Sequence, residues 1–171
     1  MRTISTPVFL TCVVMAVIFF SLFWAFWPLS KPLPIGPATV LSGDTLVVHE
    51  RAFRLADIHA PARAQVCRDR NGRPWPCGAE AVATLREAIG DFPVSCAVQG
   101  PEQDGAAPAR CVVRGEDLGR TMLLEGLAVA IGQPSTEYLG AERTARFLQK
   151  GLWDDPDHTD ANALARGRDG S

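Results

Sequence analysis

The sequence predicts a small α+β barrel that follows an N-terminal membrane-spanning helix. Three observations indicate this: an uncharged apolar run at residues 7–27, a later stretch rich in β-branched residues, and segments with helical periodicity beyond it. Strands followed by helices, with a late hairpin, are typical of small α+β barrels. The 171 residues suffice for one domain and a targeting segment, and a net charge of -2 gives no general attraction to nucleic acid.

The apolar run PVFLTCVVMAVIFFSLFWAFW, residues 7–27, is long enough to cross a bilayer as a helix. Two tryptophans lie at its C-terminal end, where indole rings favour the membrane interface. Arg2 precedes the run and only Lys31 follows closely, which favours a short cytoplasmic N-terminus, residues 1–6. We expect a single-pass protein of the cell membrane with its soluble domain on the periplasmic side. The alternative is a cleaved signal peptide, whose apolar core is normally shorter and followed by small residues.

The rest of the chain divides into a linker, a domain and a tail. Residues 28–37 contain several prolines, which end the helix and form a stiff spacer. The domain is predicted over residues 38–153. Residues 154–171 have many charges and few large apolar side chains, so we expect them to form a disordered tail.

Strands dominate the beginning of this domain. Residues 38–58, ATVLSGDTLVVHERAFRLADI, contain β-branched and apolar runs separated by turns at SGD and HERA. FPVSCAVQG and PARCVVRG, which begin at Phe92 and Pro108, predict two strands of a hairpin.

Three helices are predicted. GAEAVATLREAIG places Val82, Leu85 and Ile89 on one face and ends at a glycine. The second helix is expected to begin at Asp117 and the third at a cap formed by Ser135 or Thr136.

Four of the five cysteines form two local pairs. Cys67 and Cys77 flank the loop before the first domain helix, and Cys96 and Cys111 lie on the strands of the hairpin, where facing side chains come within disulfide range. We expect both disulfides, which would persist outside the cytoplasm. Buried thiols are one alternative, and a zinc site is another that is disfavoured because no CxxC occurs and no histidine accompanies either pair.

The order and spacing of several segments resemble the staphylococcal nuclease, or thermonuclease, family over about residues 40–153. The segments are VLSGDTLVV, FRLADIHAP, QVCRDRNGRPWPCGAEAVATL and ARCVVRGEDLGRTMLLEGLAVA. This resemblance implies an OB-fold five-stranded β-barrel with about three α-helices. It also implies a calcium-dependent phosphodiesterase that cuts DNA or RNA.

The resemblance assigns the family's site residue by residue. That site uses carboxylates for calcium, a glutamate acting on water and two arginines that neutralise the phosphate. Asp44 matches the first metal ligand and Arg54 the first catalytic arginine. The second metal aspartate falls on His59, the glutamate on Ala62 and the second arginine on Ala106. We therefore expect a degenerate active site.

Residues near the replaced positions leave an active enzyme as the alternative. Asp57 precedes His59 by two positions, and His59 itself suits a softer metal such as zinc. Arg63 and Arg110 follow the lost glutamate and arginine in sequence and can reach a phosphate, but neither supplies a base.

The sequence thus favours a membrane-anchored, catalytically degenerate domain that acts as a binding or structural module in the cell envelope. Its expected partner is a nucleic acid or an envelope protein, in addition to the membrane through residues 7–27. No cofactor is expected, and calcium is needed only if nuclease activity is retained. In this interpretation Asp44 can satisfy turn amides and Arg54 can pair with a barrel carboxylate.

Overall fold

The computed structural model describes residues 14–21, 34–155 and 157–167. The chain divides into two compact units, Met1–Pro32 and Leu33–Ser171. In the first unit, residues 14–21 are helical (α1) and their side chains are exposed. None of the helices within the described ranges has the length and apolarity needed to cross a membrane. Most of the predicted span, residues 7–27, lies outside these ranges.

A seven-stranded mixed sheet forms the centre of the second unit. Its strands are β1 (Ile35–Gly36), β2 (Ala38–Ser42), β3 (Thr45–Val48), β4 (Arg51–Leu55), β8 (Val94–Val98), β9 (Ala107–Val113) and β10 (Glu116–Asp117). They are hydrogen-bonded in the order β1-β8-β9-β4-β3-β2, and β10 pairs with β9. Neighbouring strands are antiparallel except β4 and β9, which are parallel.

The two ends of this sheet are consecutive in the chain. Strands β1 and β2 are separated only by Pro37, whose backbone has no N–H to donate to a neighbouring strand. The predicted α+β class is confirmed. The predicted five-stranded closed barrel is not observed, because the hydrogen-bonded path through the described residues is open and has additional short strands.

Two small sheets lie beside the main one. Strand β5 (Ile58–His59) pairs with β11 (Val129–Ala130), so that His59 lies opposite Val129. Strand β6 (Cys67–Arg68) pairs with β7 (Pro74–Trp75) within the loop that precedes the longest helix of this unit.

The three predicted helices are present: α2 (Cys77–Ile89), α3 (Leu118–Leu124) and α4 (Thr136–Phe147). Asp117 caps α3 by accepting a hydrogen bond from the Arg120 amide, and Ser135, rather than Thr136, caps α4. The helices follow their apolar periodicity: α2 buries Val82, Leu85 and Ile89, as expected. A 3₁₀ turn (Gly151–Trp153) follows α4.

The expectation of a disordered tail over residues 154–171 is wrong for its middle part. Residues Thr159–Gly167 form a further helix, α5, which buries Ala161 and Leu164. Two apolar side chains three positions apart are a weak helical signal, and the helix depends on an apolar surface supplied by Trp153 and the segment around Cys67.

Both predicted disulfides are confirmed. The Cys67–Cys77 bond joins β6 to the first residue of α2, with its Cα atoms 5.6 Å apart. The Cys96–Cys111 bond joins directly opposed residues of β8 and β9, with its Cα atoms 4.1 Å apart. The second bond lies inside the main apolar core, and the first lies in the smaller cluster that supports α5.

Candidate functional site

Asp44 lies in the tight turn between β2 and β3, almost wholly buried at 5% exposure. A side chain at the preceding Gly43 would bring its Cβ within 2.6 Å of Ala81 and 2.8 Å of Ala60. Only glycine therefore lets the turn pack this closely against α2, and the close packing carries Asp44 into the interior. The Asp44 carbonyl also accepts a hydrogen bond of 2.7 Å from the Leu55 amide, which ties the turn to β4.

The Asp44 carboxylate is surrounded by donors. Its Oδ1 accepts hydrogen bonds from the hydroxyls of Ser42 and Thr45, each at 2.9 Å. Its Oδ2 accepts from the Ala60 amide at 3.2 Å and lies 3.2 Å from Nδ1 of His59. Burial alone would raise the pKa of this carboxyl, but the hydrogen bonds from His59, Ala60, Ser42 and Thr45 outweigh it and lower the pKa to about 2.

His59 brings an imidazole to the position where the resemblance places a second metal-binding carboxylate. Calcium takes six to eight oxygen ligands, and here one carboxylate faces one imidazole. Within the described ranges, no three or more His, Cys, Asp or Glu side chains are grouped so that they could hold a metal ion. Since all four hydrogen bonds to Asp44 are internal, the residues present do not fit a calcium ion.

Ala62 lies in an exposed turn between β5 and β6, with no carboxylate at its position. The turn is closed locally, since the Gln65 amide donates to the Ala62 carbonyl at 2.7 Å and the Ala62 amide donates to Oε1 of Gln65 at 3.2 Å. A Cβ on Gly78 would lie 1.8 Å from that same carbonyl, so the N-terminus of α2 packs directly on the turn. Arg63 is exposed beside it.

Arg54 lines a cleft of about 320 Å³ between β4, the loop before β9 and the segment after β11. Its side chain is 25% exposed. It forms an ion pair with Asp104, with 3.9 Å between Nη1 and the carboxylate oxygen, which is beyond hydrogen-bond distance. The guanidinium makes no hydrogen bond within the part of the chain that the structure describes. The alternative in which Arg54 pairs with a carboxylate of the barrel is therefore not observed, since Asp104 lies in the loop before β9 and is 87% exposed.

Ala106 is buried in the wall of the same cleft. The loop before it is a two-residue turn, in which Gln103 and Ala106 exchange backbone hydrogen bonds of 3.0 Å. Asp104 and Gly105 have positive φ values of 51° and 75°, as an Asp-Gly turn of this type requires. This turn places Asp104 3.9 Å from Arg54, and Ala106 presents no second arginine to the cleft.

The structure shows where Asp57 and Arg110 lie, two of the residues near the replaced positions that leave an active enzyme as the alternative. Asp57 lines the cleft, in a turn where its φ is 59° and its carbonyl accepts a hydrogen bond from the Ile131 amide. Arg110 does not line the cleft. Its guanidinium instead contacts the carboxylates of Asp117 and Glu137.

The cleft therefore differs from the set of residues that the resemblance assigns. Arg54 lines it, whereas Asp44 and His59 do not. Asp57, Gln103 and Asp104 also line the cleft. The residue-by-residue comparison with the family did not identify Gln103 or Asp104 as site residues. The available signal was the dipeptide Asp-Gly at positions 104 and 105, which predicts a tight turn that projects its first side chain.

Comparison with known proteins gives two similarities. A family model described as staphylococcal nuclease homologue matches residues 52–155, more than half of the chain. The succinoglycan biosynthesis protein ExoI of Rhizobium meliloti (strain 1021) is 29% identical over 136 residues, which cover 77% of this chain and 71% of that protein.

Proposed function

Since the chain belongs to the staphylococcal nuclease homologue family, we propose that it is a catalytically inactive member that serves as a binding module in the cell envelope. The observation that carries this proposal is the Asp44 carboxylate, whose oxygens are occupied by four donors of the protein itself. A calcium ion would have to displace these donors and find its remaining oxygen ligands elsewhere.

The losses at the other positions add to this effect. Ala62 provides no general base, a group worth about 10²–10⁴ in rate. Ala106 provides no second guanidinium, and loss of one preorganised charge-stabilising donor costs about 10²–10³. Although such factors do not simply multiply, together they place phosphodiester hydrolysis below ordinary detection.

We further propose that residues 7–27 hold the module at the membrane, with the domain outside the cytoplasm. The apolar run supports the anchor. The two disulfides support an oxidising compartment, because such bonds are rare in the cytosol. We also infer that β1 and β2 together act as one strand of an OB-type barrel, since only Pro37 separates the two edges of the sheet.

The relative's name suggests the context of binding. It assigns that protein to the synthesis of a glycan. OB-type folds bind oligosaccharides as well as oligonucleotides, so a saccharide is a ligand class that this proposal includes.

A nuclease assay of the full chain in detergent tests the proposal. Labelled single-stranded DNA and RNA are incubated with calcium, and we expect no degradation above a blank prepared identically without the protein. Calcium-dependent cleavage that disappears in Asp44→Ala and persists in Arg143→Ala, an exposed arginine of α4, would refute catalytic inactivity.

The second candidate is an active phosphodiesterase with a different set of residues. It is favoured by the Arg54 guanidinium, which makes no hydrogen bond to a described residue, and by Asp57, which lines the same cleft. Cleavage that requires zinc or manganese and is lost in both Arg54→Ala and Asp57→Asn would support this candidate over the first.

A further inference from the structure

The Arg54 guanidinium is the most unusual polar group of the cleft. Three quarters of the side chain is covered, yet the group makes no hydrogen bond to any described residue, and its ion pair with Asp104 is 3.9 Å long. A guanidinium carries five N–H donors in a planar fork, and none of the Arg54 nitrogens is among the fully buried, unpartnered polar atoms of the described residues, so these donors are accessible to a ligand. The geometry suits a ligand oxyanion that accepts two parallel hydrogen bonds.

The charges around Arg54 restrict the kind of anion. Asp57 and Asp104 line the cleft with it, so the cleft contains two carboxylates and one guanidinium. Their combined field disfavours a chain of phosphates, in which every unit carries a negative charge. A ligand with one anionic group, placed at Arg54, and neutral groups beside it meets less of this repulsion than a polyanion does.

The same carboxylates can bind a polyhydroxyl ligand. Carboxylate oxygens accept hydrogen bonds from hydroxyls, and the side-chain amide of Gln103 can both donate and accept. Asp104 lies at the tip of a turn closed by two backbone hydrogen bonds, so its position in front of Arg54 is defined by the loop.

The remaining wall of the cleft is apolar. Ala106, Pro108 and Ile131 contribute small or flat surfaces against which the C–H face of a sugar ring can pack. The cleft volume of about 320 Å³ is at the lower end of the range for small-ligand sites and matches a short saccharide segment rather than a long chain.

Resting on the function proposed above, we propose that this cleft binds an acidic saccharide, with the sugar carboxylate on Arg54 and neighbouring hydroxyls on Asp57, Gln103 and Asp104. The pair formed by buried Asp44 and half-buried His59 lies outside this cleft and takes no part in binding the ligand. It assigns Asp104 a role in specificity, as the group that excludes polyanions.

Binding of the full chain in detergent to a fluorescent tetrasaccharide with one glucuronate unit tests the proposal. Arg54→Ala should weaken binding about 10- to 100-fold, as expected for a charge-assisted pair. Arg54→Lys should recover part of the loss, and Arg143→Ala, outside the cleft, should bind as the unaltered chain does. A neutral tetrasaccharide of the same length should bind at least about tenfold more weakly.

Two competitors test the other ligand classes. An eight-nucleotide single strand should compete poorly with the unaltered chain and at least several-fold better with Asp104→Asn, because that substitution removes a repelling charge. A lysine-rich octapeptide should not compete.

Preference for the peptide, equal binding of the neutral saccharide, or no binding of the glucuronate probe would overturn the saccharide assignment while leaving catalytic inactivity intact. Strong binding of the nucleotide by the unaltered chain would overturn it as well. The nuclease assay described above reports separately on catalytic inactivity, so failure of one proposal is distinguishable from failure of the other.

Discussion

Asp44 retains its charge in the interior because donors from two parts of the chain face it. Ser42 and Thr45 come from its own turn, whereas Ala60 and His59 come from the segment that begins with β5. Each hydrogen bond favours the ionised form, and together they overcome the desolvation that would otherwise neutralise the group. The residue therefore couples the β2–β3 turn to β5, which is a structural task that needs no metal.

This coupling predicts an acid sensitivity. The pKa of Asp44 falls from 3.8 to about 2 on folding, so the ionised form stabilises the folded state above about pH 4, by about 2 kcal/mol. That contribution should be lost as the pH falls from about 4 to about 2, where the carboxyl becomes protonated in both states. Urea unfolding followed by tryptophan fluorescence over this range measures it.

Asp44→Asn is the matched variant for this measurement. It keeps the size of the side chain but cannot ionise. Below about pH 4 its free energy of unfolding should therefore decline less than that of the unaltered chain, by the contribution of Asp44. An equal decline in Asp44→Asn and the unaltered chain would show that other carboxyl groups cause the acid sensitivity.

At the scale of elements, the loop closed by Cys67–Cys77 supports the C-terminal helix. The Arg68 amide donates to Asp160 at 2.8 Å, and Nε of Arg70 donates to Asp154 at 2.6 Å. The two cysteines also belong to the apolar cluster that contains Ala161 and Leu164 of α5. The helix therefore rests on a surface that the disulfide holds together.

Replacing both Cys67 and Cys77 by serine should lower the free energy of unfolding by about 2–3 kcal/mol, because the unfolded chain gains the entropy of an opened short loop. It should also expose α5 to trypsin at Arg166, since the polar serines weaken the apolar cluster. Peptide mapping over a time course checks this.

The matched control is Cys96→Ser with Cys111→Ser, which opens the other disulfide within the main core. It should destabilise the domain as a whole without selectively accelerating cleavage at Arg166. Early cleavage there in the control but not in the Cys67/Cys77 variant would contradict the assigned role of the first loop.

At the scale of the whole molecule, two features of the sequence favour the same location. The uncharged run at residues 7–27 suits a bilayer, and the disulfide-bonded cysteines suit an oxidising compartment. The prolines of residues 28–37 suit a stiff spacer between an anchor and a domain.

Protease added to right-side-out spheroplasts should therefore digest the domain while leaving a small membrane-bound fragment. The expected reason is a single anchor with the positively charged N-terminus inside. Full protection of the domain in spheroplasts, combined with digestion in inverted vesicles, would reverse the proposed orientation. Release of the intact domain without protease would instead indicate cleavage of the apolar run.

Features that depend on local patterns could be predicted from the sequence. Helices α2, α3 and α4 follow from apolar periodicity and caps, and the two cysteine pairs follow from short spacing and hairpin geometry. The family also follows from the order of short segments, because these segments encode the turns that the fold requires.

Tertiary structure decided what depends on contacts between distant segments. Helix α5 forms because residues near Cys67 and Trp153 supply its apolar partner, which its own sequence does not record. The residues next to Asp44 in sequence do not reveal whether its carboxylate binds a metal ion or accepts hydrogen bonds from the protein. The folded structure shows that His59 and Ala60, fifteen and sixteen positions away, approach its oxygens. The charge of the cleft likewise depends on which segments meet at Arg54, since Asp57 and Asp104 are far apart in the chain and line one cleft only after folding.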